Sequence, residues 1–128
     1  MKKSSVLVVE RDALLGETIC LMLEANGYTG IPISSFANAL SSLHGIAFAI
    51  VITRIGLRDP YENVFLMEAK LLQPFLKIIA VTSVKYPSPH SMDVDAVLSI
   101  PFSIEQLNAA VLEVLQSPFR IPTASSSQ

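Results

Sequence analysis

Short runs of consecutive apolar residues alternate along this chain with stretches in which apolar positions recur every three or four residues. The first run, SVLVVE, is β-branched and apolar enough for a strand buried on both faces. Asp12 follows as an N-cap candidate, and Leu15, Ile19, Met22 and Leu23 keep helical spacing as far as Asn26-Gly27, a helix-stop signal. The unit then repeats. YTGIPI reads as a weaker second strand, and Ser35 can cap a helix whose Phe36, Ala39, Leu40 and Leu43 share a face until Gly45. Ile46–Thr53 is expected to form a third strand, Glu62–Leu72 a third helix ending before Pro74, and KIIAVTS a fourth strand. After the proline-rich VKYPSPHSMD comes a fifth strand, AVLSI, and then the best-signalled helix. There Ser103 and Gln106 have capping-box spacing, and Leu107, Ala110, Val111 and Val114 line one face.

Five strands alternating with helices imply an α/β domain, because parallel strands need crossovers and the crossover helices cover both faces of the sheet. The expected arrangement is a single flavodoxin-like, doubly wound domain with a five-stranded parallel sheet in order 2-1-3-4-5. It spans 1–118, and 119–128 is expected to be a disordered C-terminal tail. In such sheets ligands bind at the carboxyl ends of the strands where the chain reverses direction. That rule gathers Glu10, Arg11 and Arg54, with Thr82 and Ile100 at the ends of strands 4 and 5.

Composition narrows the function. Hydrophobic residues make up 51% of the 128 positions and charged residues 16%, which favours one densely buried core. A formal net charge of -2 leaves no face basic enough to grip a nucleic-acid backbone. The uncharged stretch 25–53 is broken by Gly, Pro, Ser, Asn and His, so no membrane span is expected; the apolar block Val6–Val9 is too short for a signal peptide, and a cytoplasmic location is expected. Cys20 is the lone cysteine and reads as a small core hydrophobe, while His44 suits the negative end of the second helix. With only His44 and His90 besides, a metal-ligand cluster is not expected.

With these elements in place, the chain resembles the receiver domain of bacterial two-component response regulators over nearly its whole length. VLVVERD resembles the family's apolar strand followed by paired acids, RIGLRD its Ile-Gly-Leu-Pro-Asp continuation after strand 3, Thr82 its Thr or Ser at the end of strand 4, and SIPFSIEQL its Lys-Pro-Phe run. In that family two acids and an acceptor aspartate hold Mg²⁺, the aspartate takes a phosphoryl group, and the lysine contacts it. Here Glu10 and Arg11 stand at the acid pair, Arg54 at the acceptor and Ile100 at the lysine.

The resemblance therefore implies a pocket whose charge has changed. Three acids and a lysine sum to -2, whereas Glu10, Arg11, Arg54 and Ile100 sum to +1, or to 0 if Asp12 turns inward. At ~5 Å and an effective dielectric of ~20, each unit charge acts on a divalent cation by roughly 7 kcal/mol, so Mg²⁺ binding is expected to be lost. Arginine stays protonated and offers no nucleophile, so aspartyl phosphorylation is expected to be absent. The read-out is altered as well. Val97 stands where the family turns an aromatic inward, and the residues between Thr82 and Pro101, with Pro87 and Pro89 among them, are too few and too proline-rich for a full helix 4, which is expected to be short or absent.

Two readings of Arg54 follow: an internal ion pair with Glu10 that replaces the metal, or a solvated arginine at a strand end. Enzyme templates are missing: there is no G-x-S-x-G, no Walker lysine loop and no G-x-G-x-x-G, so no catalytic residue is expected. The expected function is a stand-alone degenerate receiver that binds a sensor kinase or another signalling protein without being switched by phosphate, as a monomer or homodimer. The alternatives are phosphate acceptance on a hydroxyl such as Thr53 or Ser83, or a small anionic ligand held in the crevice by Arg11 and Arg54. The Ser-Pro-His surface loop at 88–90 is a further candidate partner site.

Overall fold

The computed structural model describes residues 4–56, 60–83 and 94–117. They form β1 (Ser5–Val9), α1 (Ala13–Ala25), β2 (Thr29–Ile33), α2 (Phe36–Gly45), β3 (Ile50–Arg54), α3 (Glu62–Leu72), β4 (Lys77–Thr82), β5 (Ala96–Ser99) and α4 (Ile104–Gln116). The five strands are parallel in the order β2-β1-β3-β4-β5, as the alternation of elements predicts. Alternate residues of each central strand feed opposite layers. Val6, Val8, Ile50, Ile52, Ile79 and Val81 pack on the side of α1 and α4, whereas Leu7, Val9, Val51 and Ile78 pack on the side of α2 and α3. All are buried, which is why these strands read as unbroken apolar runs.

The helix ends follow their sequence signals. Asp12 accepts hydrogen bonds from the Leu14 and Leu15 amides, Ser35 from Asn38, and Ser103 and Gln106 close a reciprocal capping box. At the other end of α1, Gly27 has φ 91, and the amides of Gly27 and Tyr28 donate to the carbonyls of Glu24 and Leu23. This paired closure needs a left-handed residue, so the Asn26-Gly27 stop has a steric cause. His44 lies in the last turn of α2. By contrast, Tyr61 at the N-cap of α3 makes no side-chain capping hydrogen bond.

The third strand is shorter than its apolar run. Residues 46–49 form a connection, with Ile46 exposed, and β3 begins only at Ile50. The reason is Gln73: its side-chain amide donates to the carbonyls of Leu43 and Ile46 and accepts from the Phe48 amide, so it holds this segment as a loop. Buried Lys70 works similarly after α3, donating to the carbonyls of Pro74 and Leu76. Three expectations fall outside the described residues: the short or absent helix 4, the surface loop at 88–90, and the tail 119–128. The last helix is accordingly α4.

Two outcomes test this packing. A β-carbon added at Gly30 would lie 2.9 Å from Cys20 Sγ and 3.0 Å from its Cα, so Gly30→Ala is expected to lower stability by about 1–3 kcal/mol in urea denaturation. Burial, reinforced by Glu24 and Glu17, pushes the Cys20 thiol up to about 11. A thiol pKa raised by folding favours the native state while the thiol is neutral. That contribution is therefore intact below the unfolded thiol's range near pH ~8.5 and is lost as pH rises towards 11. At pH 8 iodoacetamide should label Cys20 slowly in the native protein and rapidly in urea, a contrast absent if the helix α1 site were open.

Candidate functional site

The carboxyl ends of β1 and β3 are neighbours because Val9 pairs with Thr53 in the parallel register, so the residues that follow leave the sheet side by side. Glu10 follows β1 and Arg54 ends β3. Their side chains meet: Arg54 Nη1 donates to Glu10 Oε1 at 3.1 Å. The Glu10 side chain is only 4% exposed and that of Arg54 20%, so the pair is largely withdrawn from water. Glu10 Oε2 accepts the Asp12 amide at 3.0 Å. Each carboxylate oxygen thus has a donor. Arg54 Nε is buried and finds no hydrogen-bond partner among the described residues.

Of the two readings of Arg54, the internal ion pair is the one observed. At an effective dielectric of ~20, the attraction over this distance is roughly 5 kcal/mol, and most of it offsets the cost of burying Glu10. Asp12 does not turn inward. It is exposed, and its carboxylate is committed to the start of α1, so the local sum over Glu10, Arg11, Arg54 and Ile100 stays at +1.

The remaining sequence candidates are distributed around this pair. Arg11 is exposed and lines a cavity of about 510 Å³ together with Arg54. Thr82 is buried as the last residue of β4, and its carbonyl accepts the Ile100 amide. Ile100 itself packs against the hydrophobic cluster on the α1 and α4 side, and the Ile100–Pro101 peptide bond is cis. Val97 is half-buried on β5. Among the described residues no three His, Cys, Asp or Glu side chains gather as a metal-binding group. No described helix is long and apolar enough to cross a membrane.

The cavity itself was not legible in the sequence. It opens between α2 and α3, with Phe36, Leu40, Val64 and Phe65 as apolar walls and Glu62 and Glu68 at its margin. The Phe36 and Phe65 rings stack at 4.8 Å between centroids, joining the two helices. Periodicity places Phe36 on the apolar face of its own helix, and nothing in either helix indicates that its ring meets that of Phe65. Glu62 also accepts the amide of Gly56, whose φ of 85 turns the chain after β3.

The sequence matches no protein-family model and no curated protein. Solved structures do match. A response regulator receiver protein from Sinorhizobium medicae WSM419 is 25% identical, with 91% of this chain and 97% of that one covered at a TM-score of 0.79. A CheY-like receiver domain protein from Methanospirillum hungatei JF-1 is 23% identical, covering 89% and 94% at 0.78. The chemotaxis response regulator CheY4 of Vibrio cholerae is 18% identical, covering 88% and 99% at 0.79. The chain has the fold of CheY-like receiver domains.

If the pair is a coupled unit, a double-mutant cycle with Arg54→Met and Glu10→Gln should give a coupling of at least about 1 kcal/mol in denaturant unfolding. Arg54→Met alone should cost more than the double variant, because it leaves a buried carboxylate uncompensated.

Proposed function

We propose that this protein is a degenerate receiver, acting in two-component signalling as a protein-interaction module that is not switched by phosphorylation. The observation that carries this reading is the Arg54–Glu10 ion pair. In the receiver likeness, Arg54 stands at the phosphate-accepting position, and a guanidinium supplies no nucleophile there. It also holds one oxygen of Glu10, the acid retained at the usual metal position, while a backbone amide holds the other. A hard divalent cation requires several free, negatively charged oxygens, and this donor set does not suit it. The module is therefore read as having no metal cofactor and no catalytic step, and its partner as a sensor kinase or another signalling protein.

Phosphate acceptance on Thr53 is the weaker reading, since that residue is buried and its hydroxyl is directed to the Arg54 carbonyl at 3.5 Å. Ser83 is exposed but directly follows β4. A small anionic ligand is favoured by one specific observation, the cavity beside Arg11 and Arg54.

Incubation with acetyl phosphate, or with beryllofluoride and Mg²⁺, distinguishes these readings. Intact mass should show no phosphoryl adduct, and the thermal midpoint should not move with Mg²⁺. A stable adduct, or stabilisation that requires Mg²⁺, would overturn the proposal. Stabilisation by simple anions without Mg²⁺, lost in Arg11→Ala, would instead support the ligand reading.

A further inference from the structure

The cavity beside the Arg54–Glu10 pair has room for more than a simple ion. At about 510 Å³ it is large enough for a small organic molecule, and inorganic phosphate would fill little of it. Its walls are chiefly apolar. Phe36 and Leu40 come from α2, and Val64 and Phe65 from α3. The Phe36 and Phe65 rings are stacked with 19° between their planes, and both line the cavity, so it has aromatic surface along one wall. Val64 is 44% exposed, which leaves apolar surface at this site open to water.

The charges around this space restrict its occupant. Glu10, Arg11 and Arg54 leave one surplus positive charge at the strand ends. The Glu10 carboxylate is already satisfied, by Arg54 Nη1 and the Asp12 amide. Arg54 is not: its Nε has no partner among the described residues. The Arg54 side chain is 20% exposed and lines the cavity, so its charge acts on that space with less screening than a surface arginine has. Ser35, Phe36 and Ala37, the N-cap and first two residues of α2, line the cavity too, and the positive end of that helix adds to the field. Glu62 and Glu68 stand on the α3 side, where they oppose a second negative charge. One negative charge on an apolar body suits this arrangement, and a phosphate dianion does not.

We propose that the cavity binds a planar aromatic monocarboxylate, with its carboxylate directed at Arg54 and Arg11 and its ring lying against the apolar wall of α2 and α3. The proposal rests on the ligand reading of the same cavity and narrows it from any small anion to one that carries an aromatic body. It is independent of the phosphorylation-free reading.

Calorimetric titration of the full chain with cinnamate, cinnamyl alcohol and inorganic phosphate tests this. Cinnamate should bind at least about tenfold more tightly than the uncharged alcohol of the same shape, and at least about tenfold more tightly than phosphate. Val64→Glu, at an exposed position of the wall, should weaken cinnamate binding at least about tenfold, and Leu112→Glu on α4 should leave it unchanged. The double variant of Arg54→Met and Glu10→Gln carries no uncompensated buried charge, and in it the preference for cinnamate over the alcohol should fall at least about fivefold. No binding of cinnamate, equal binding of cinnamate and the alcohol, or a cinnamate affinity indifferent to Val64→Glu or to the double variant would overturn the proposal. Phosphate bound as tightly as cinnamate, and lost in Arg11→Ala, would overturn it while leaving the simple-anion reading in place. Silence from all three probes would remove both.

Discussion

A carboxylate that is nearly sealed from water cannot stay charged without a compensating partner, and Glu10 stands in that position at the end of β1. Its partner comes from a strand 44 residues away in sequence, which is adjacent only because β1 lies between β2 and β3. Arg54 reaches one oxygen, and the first turn beyond β1 brings the Asp12 amide to the other. The same turn frees the Asp12 carboxylate to cap α1. One buried charge thus connects the central sheet, the start of a helix and the site at the strand ends.

Around this point the sheet serves as a partition. Each central strand sends alternate side chains to two separate clusters, one under α1 and α4, the other under α2 and α3. Polar residues hold the edges of this arrangement. Gln73 binds the α2–β3 connection to the end of α3, and Asp95 accepts the Ile78 amide beside β5. In the proposed function, a site of this kind is static: its cation is covalently part of the chain and cannot be exchanged as a bound metal can. Any signal would then depend on which proteins meet its surface.

Local signals were sufficient wherever one segment determines its own state. The N-caps at Asp12, Ser35 and Ser103, the stop at Gly27 and the limits of α3 were all readable, because capping and periodicity are satisfied within a few residues. The parallel order 2-1-3-4-5 followed too, since alternating strands and helices leave few right-handed solutions. The start of β3 was misjudged because an apolar run cannot reveal that a glutamine 25 residues beyond Phe48 will take its amide.

The sequence by itself determined the elements, their layer order and the presence of an arginine where the receiver likeness has an acid. Only the tertiary structure decided that Arg54 turns inward to Glu10, that Asp12 turns outward, and that Phe36 and Phe65 meet beside a cavity. The reason is physical. Period and caps are properties of neighbouring residues, whereas the direction of a charged side chain depends on burial and on partners that only folding brings within reach.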